Sequence, residues 1–232
     1  MSPRDFFSRR EGSLVQRSVL IAAGATVAAV AITRPSQAQM LGTPVLQNAF
    51  LNPGFTVAAN FGTGSDANAF GGAVAWAPSS GRMQLSGGAA LFDPDVGSSD
   101  VTWGARVMAP IPKISRPNIG VAAFAGIGGL SANGATTLRV PVGVSVGYRR
   151  ALRGGRGVSG YVAPFYSWSR VSADGATSAG LFRVSFGVDV AILPALGATV
   201  GFETGSTASA GEPGPTGSLF GIGLSYALRR PR

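Results

Sequence analysis

The 232-residue sequence contains no cysteine and no histidine, and only 12% of its residues are charged. Without cysteine there is no disulfide and no thiol nucleophile. Without histidine as well, neither the usual zinc sites nor a Ser-His-Asp relay can be built. Carboxylate, arginine, serine or tyrosine chemistry is all that remains. The charged share is about half of the ~25% found in ordinary soluble domains, whereas the 35 glycines are roughly double the usual ~7%. A chain so poor in charge has little with which to cover a water-facing surface. Long apolar runs are also missing: beyond residue 38 none approaches the ~18 residues of a membrane-spanning helix.

The first 38 residues read as a cleaved export signal. Arg4, Arg9, Arg10 and Arg17 precede an apolar run from Ser18 to Thr33, and Arg34 ends it. The 16 residues between Arg17 and Arg34 are short for the ~20 of a spanning helix and suit a signal-peptide core. Ser36 and Ala38 then provide small residues at −3 and −1 of a cut after Ala38. Ser8-Arg9-Arg10 matches the start of a twin-arginine signal, but Glu11 and Gly12 stand where that pattern needs apolar residues, so the arginines read as ordinary n-region charge. Cleavage leaves 194 residues with a formal charge of +6, enough for one domain. Residues 39–53 form a lead-in without clear period, 54–228 the patterned body and 229–232 a basic tail.

From Gly54 onward apolar residues recur with a period of two. In Thr137 to Tyr148, Leu138, Val140, Val142, Val144, Val146 and Tyr148 alternate with small or polar residues, so one face is wholly apolar. Comparable alternation marks ten segments: Phe55–Phe61, Phe70–Trp76, Met83–Leu91, Val101–Val107, Ile119–Ile127, Thr137–Tyr148, Val158–Trp168, Phe182–Ile192, Leu196–Phe202 and Phe220–Leu228. Strands of about 9 to 11 residues suit a tilted bilayer crossing. Connectors such as Asn133-Gly134, Asp174-Gly175 and Glu212-Pro213-Gly214-Pro215 carry turn chemistry, so the segments join as successive antiparallel hairpins. Pro141 and Pro164 each delete a ladder donor inside a strand, which implies either a bulge or a different strand register nearby.

Charge polarises along the strands. Odd connectors hold Asp66, then Asp93, Asp95 and Asp100, then Asp174, then Glu203 and Glu212. Even connectors hold Arg82, then Lys113 and Arg116, then Arg149, Arg150, Arg153 and Arg156, and the same end carries Arg229, Arg230 and Arg232. A soluble sandwich, the alternative all-β architecture, has no reason to sort charge this way. Aromatic residues on the apolar face fall towards the ends as well: Phe61, Phe70, Trp103, Trp168, Phe182, Phe202 and Phe220 near the acidic rim, and Phe55, Trp76, Tyr148 and Tyr226 near the basic one. Two such belts suit two membrane interfaces.

Together these features predict an all-β, antiparallel up-and-down transmembrane β-barrel of about ten strands, with eight or twelve as neighbouring solutions. The chain resembles the small outer-membrane β-barrel proteins of Gram-negative bacteria, of the general OmpA or OmpX type. The resemblance covers residues 54–228 in pattern and rests on alternation and girdles, with no family motif. It implies export through the inner membrane, insertion in the outer membrane by the assembly machinery, and contact with outer-membrane lipid.

No chemistry-bearing motif emerges. Gly155-Arg156-Gly157-Val158-Ser159-Gly160 has G-x-G-x-x-G spacing, but a strand pattern follows where a dinucleotide fold needs a helix. Asp93, Asp95 and Asp100 lack the ligand order of an EF-hand. Asp189 and Glu203 are a conceivable carboxylate pair, although nothing in the sequence fixes their separation. We expect no enzyme activity, no cofactor, no metal and no nucleic-acid partner. The inward face is mainly Gly, Ala, Ser and Thr, with Arg106, Arg139, Arg183, Asp189 and Glu203 among them. Facing lipid, an arginine would cost ~2 to 4 kcal/mol at mid-depth, which assigns these charges to the lumen. Two lumens are conceivable: one plugged by an arginine–carboxylate network, or one passing small solutes, anions preferentially. The role expected is passive, structural or narrowly porin-like. The alternatives are a surface-interaction module acting through Thr204 to Leu219, and a soluble ligand-binding sandwich.

Overall fold

Alternation of large apolar and small residues leaves each strand with one face too bulky and too apolar to point at its neighbours inside a narrow cylinder. The computed structural model resolves this by turning the bulky face outward around a closed barrel. It describes residues 49–51, 53–64, 67–95, 99–132, 135–152, 156–172, 176–209, 213–214 and 216–228. The expected export segment 1–38, most of the lead-in, the tail 229–232 and the loop residues Asp66, Arg153, Asp174 and Glu212 lie outside them.

The strands are β1 (Gly54–Thr63), β2 (Ala67–Ala77), β3 (Gln84–Pro94), β4 (Asp100–Pro110), β5 (Ile119–Ala132), β6 (Ala135–Ala151), β7 (Gly157–Ser172), β8 (Ser178–Ala191), β9 (Leu196–Gly205) and β10 (Leu219–Leu228). Each pairs antiparallel with its sequence neighbour, and β1 closes on β10 from Phe55 opposite Leu228 to Thr63 opposite Phe220. Closure leaves no free sheet edge and removes the sandwich alternative.

Several strands outrun the apolar pattern. β6 has 17 residues and β7 has 16, because pairing continues past the apolar stretch of β6 through Arg149 opposite Ser159 and Arg150 opposite Val158, and past that of β7 through Ser169 opposite Arg139 and Ser172 opposite Thr136. These flanks are polar, so hydrophobic periodicity does not mark them.

Of the two alternatives at Pro141 and Pro164, neither a bulge nor a shifted register is found. On β6–β7, Gly143 faces Phe165 and Val146 faces Val162; on β5–β6, Ala125 faces Val142 and Gly128 faces Arg139. Both registers resume unshifted after two positions. A missing N–H therefore breaks the ladder locally, while the other edge of each strand stays paired, as in Pro164 opposite Val184.

The polarity of the molecule is inverted. Phe70 is 63% exposed, and Phe55, Trp103, Tyr148, Tyr166, Phe182 and Tyr226 also stand on the outer wall. The largest fully buried side chains are Arg183, Met108, Leu219 and Glu203, followed by a threonine and four serines. Water would solvate this exterior poorly. In a hydrocarbon slab the same wall is matched to its surroundings, and closure satisfies the backbone. The chain is a membrane β-barrel. Charge separates between its ends, with Asp93, Asp95 and Asp100 at one and Arg82, Lys113, Arg116, Arg149, Arg150 and Arg156 at the other. Arg170, near the acidic end of β7, runs against the trend.

Candidate functional site

The lumen is where side chains from distant strands meet, and all five charges assigned to it lie on the inner face. Three of them come together. Glu203 on β9 accepts from Arg183 Nε on β8 at 2.5 Å and from Arg139 Nη2 on β6 at 3.3 Å, through the same carboxylate oxygen. Arg139 Nε also donates to Ser167 Oγ on β7 at 2.6 Å. Two guanidiniums thus share one carboxylate in a largely buried site, where charge-assisted bonds are short and strong.

Arg183 has a further role that sequence alone did not indicate. Its Nη1 donates to the carbonyl of Ser206 at 2.7 Å and its Nη2 to that of Gly217 at 2.8 Å. One side chain, with no exposed surface, thereby ties both ends of the β9–β10 connector. The hydroxyls of Thr204 and Ser218, 3.0 Å apart, close the base of that loop a second time. Pro213 is buried, and a β-carbon at Gly214 would stand 2.8 Å from Leu181 Cδ1 on the inner wall. The described part of the connector at Pro213 and Gly214 thus lies against the inner wall.

Deeper in the lumen lies an apolar layer that the sequence reading missed. Met108, Ala122, Phe124, Tyr161, Ala163 and Phe165 pack together, and Ala49, 3% exposed, joins them from the lead-in. The Phe124 and Phe165 rings are 6.1 Å apart, with Arg106 Cζ 5.6 Å from the first and Arg139 Cζ 6.0 Å from the second. A chain of contacts therefore links the inner faces of β4 to β9: Arg106, Phe124, Phe165, Arg139, Glu203, Arg183 and the ends of the β9–β10 connector. Cation–π contact favours laying each of these guanidiniums against a ring. Space for the rings comes from Gly143, where a β-carbon would meet Phe165 Cβ at 2.4 Å and Phe124 Cζ at 2.9 Å. Large residues opposite glycine were the available signal, masked by the small residues around them.

Asp189 does not join Glu203. It faces Thr199 across β8–β9 while Glu203 faces Ser185, four residues further along the strand, or roughly 13 Å at ~3.3 Å per residue. Asp189 accepts from Thr199 Oγ1 at 2.6 Å and from Ser159 Oγ at 3.5 Å. No paired-carboxylate site is formed by these two residues. Asp93 accepts from Ser99 Oγ at 2.6 Å, and among the described residues no three potential metal ligands converge. Gly157 to Gly160 lie in β7, so no helix follows the glycine-spaced segment.

No family model matches the sequence, and no curated protein matches it. Similarity is found among solved structures. The β domain of the Bordetella autotransporter BrkA is 15% identical, with a TM-score of 0.51 over 76% of this chain and all of that domain. Neisserial surface protein A is 14% identical, covering 75% of this chain and 97% of that one, with a TM-score of 0.38. The outer-membrane protease OmpT of Escherichia coli is 7% identical over 76% and 94%, with a TM-score of 0.40. The chain has the fold of an outer-membrane β-barrel.

Proposed function

We propose that the protein is an integral barrel of a Gram-negative outer membrane with a passive, structural role and a sealed lumen. The observation that carries this reading is the contact chain from Arg106 through Phe124, Phe165 and Arg139 to Glu203 and Arg183, which holds both ends of the β9–β10 loop. A ten-stranded barrel is narrow enough for side chains to fill, since wide aqueous channels need ~16 strands. A porin-like role would need Arg139 and Arg183 to line an open gap, whereas both are committed to Glu203. The lumen residues serve to hold the barrel closed, not to catalyse a reaction.

On this reading the aromatic residues near each rim seat in the two lipid interfaces, and the partners are outer-membrane lipid and the machinery that inserts barrels. An export signal ending at Ala38 would deliver the chain to that membrane. The test is fractionation followed by reconstitution. The protein should appear in the outer-membrane fraction and migrate differently on gels when unboiled and boiled. Proteoliposomes carrying it should swell in isotonic arabinose no faster than empty ones. Recovery in the soluble fraction, or rapid swelling, would reject the proposal.

A further inference from the structure

A cavity of about 530 Å³ opens at the basic end of the barrel, and neither Phe124 nor Phe165 lines it. That volume lies within the ~300–1,000 Å³ of small-molecule sites and is too large for a bare ion. Its described lining includes three arginines, Arg149, Arg150 and Arg156, against one carboxylate, Asp189. Asp189 sits on the inner wall with Thr199 and Ser159 donating to it. None of the three arginines has a carboxylate in ion-pair range among the described residues. Arg149 instead lies with Cζ 4.5 Å from the Phe50 ring centre, and its Nε makes only a long 3.4 Å contact to the Pro117 carbonyl. Phe50, from the lead-in, forms part of the same wall.

A solvent-filled pocket with net positive lining and low-dielectric walls concentrates anions, and guanidinium forks match phosphate oxygens in pairs. We propose that this cavity binds a phosphate ester of headgroup size, its phosphate held by Arg149 and Arg156 and its hydroxyl-bearing remainder directed towards Ser159 and Thr199, with Asp189 the one opposing charge. Two sources offer this chemistry, a free glycerol phosphate and the headgroup of an anionic phospholipid.

Protein extracted from membranes into a non-ionic detergent would be titrated calorimetrically with sn-glycerol 3-phosphate and, as the uncharged control, glycerol. Retention of phosphatidylglycerol against phosphatidylcholine would be read by native mass spectrometry. Saturable binding of glycerol 3-phosphate, weakened at least tenfold by R149S/R156S and unchanged by R170S at the opposite end, supports the site with a free ester as ligand. Preferential retention of phosphatidylglycerol alone, lost in the same double variant, supports the site with a lipid headgroup as ligand. Asp189→Asn removes the opposing charge and should tighten phosphate binding severalfold in a barrel whose unboiled gel mobility is unaltered. The proposal is overturned if neither probe binds, if glycerol binds as well as its phosphate, if R170S weakens binding as much as R149S/R156S, or if Asp189→Asn weakens it.

Discussion

Arg183 concentrates the energetics of the acidic end in one side chain. Its guanidinium reaches Glu203 and both ends of the β9–β10 loop, so Arg183→Ser should leave Glu203 with Arg139 alone and release the carbonyls of Ser206 and Gly217. Breaking a buried pair costs about 3 to 5 kcal/mol, which urea unfolding in detergent micelles would measure. Arg139→Ser should cost clearly less, because Arg139 lies farther from Glu203 at 3.3 Å and retains 12% side-chain exposure. Equal costs would show that Arg183 does not anchor the loop. Gly205 offers a test that leaves the charges in place. Its φ of +139° belongs to glycine, and a β-carbon there would stand 2.5 Å from the Phe182 carbonyl oxygen and 2.7 Å from Arg183 Cα. Gly205→Ala should therefore cost about 1 to 3 kcal/mol and speed subtilisin cleavage within 206–218, whereas unchanged proteolysis would mean the clasp tolerates displacement.

At the scale of the strand, parity decides where a charge can go. Leu224 faces outward near the middle of β10, and its neighbour Ser225 lines the cavity. Leu224→Arg should lower folded yield by an amount corresponding to ~2 to 4 kcal/mol, while Ser225→Arg should fold nearly as the parent, both read from the unboiled fraction on gels. Equal losses would mean that β10 is misregistered or does not meet lipid. The same parity explains what was legible in the sequence. Ten runs of alternation define ten strands because every outward position in a run such as Leu138 to Tyr148 is apolar. It also explains what was not. Phe124 and Phe165 are apolar residues on the inward face, where a two-letter pattern registers them as exceptions, and their pairing depends on Gly143 of an intervening strand. The extensions of β6 and β7 are paired through polar residues and carry no hydrophobic period. Arg139, Arg183 and Glu203 were legible as inward charges. Their convergence was not, because it depends on the stagger of three strands, and the capture of a loop by Arg183 depends on a backbone path that side-chain periodicity does not encode.

For the whole molecule, the inversion of polarity and the contact chain in the lumen are the two observations behind the proposed function, a barrel that crosses a membrane without conducting through it. The exterior offers lipid an apolar wall, and Arg106, Phe124, Phe165, Arg139, Glu203 and Arg183 pack against one another inside the barrel, with Arg183 holding both ends of the β9–β10 connector. Current through single molecules in planar lipid bilayers tests this most directly. The account predicts that the unmodified protein inserts and gives no steps or only very small ones, and that R139S/R183S, which severs the chain and unpins the loop, gives clearly larger steps. Large, steady steps from the unmodified protein, unaltered in the double variant, would contradict it.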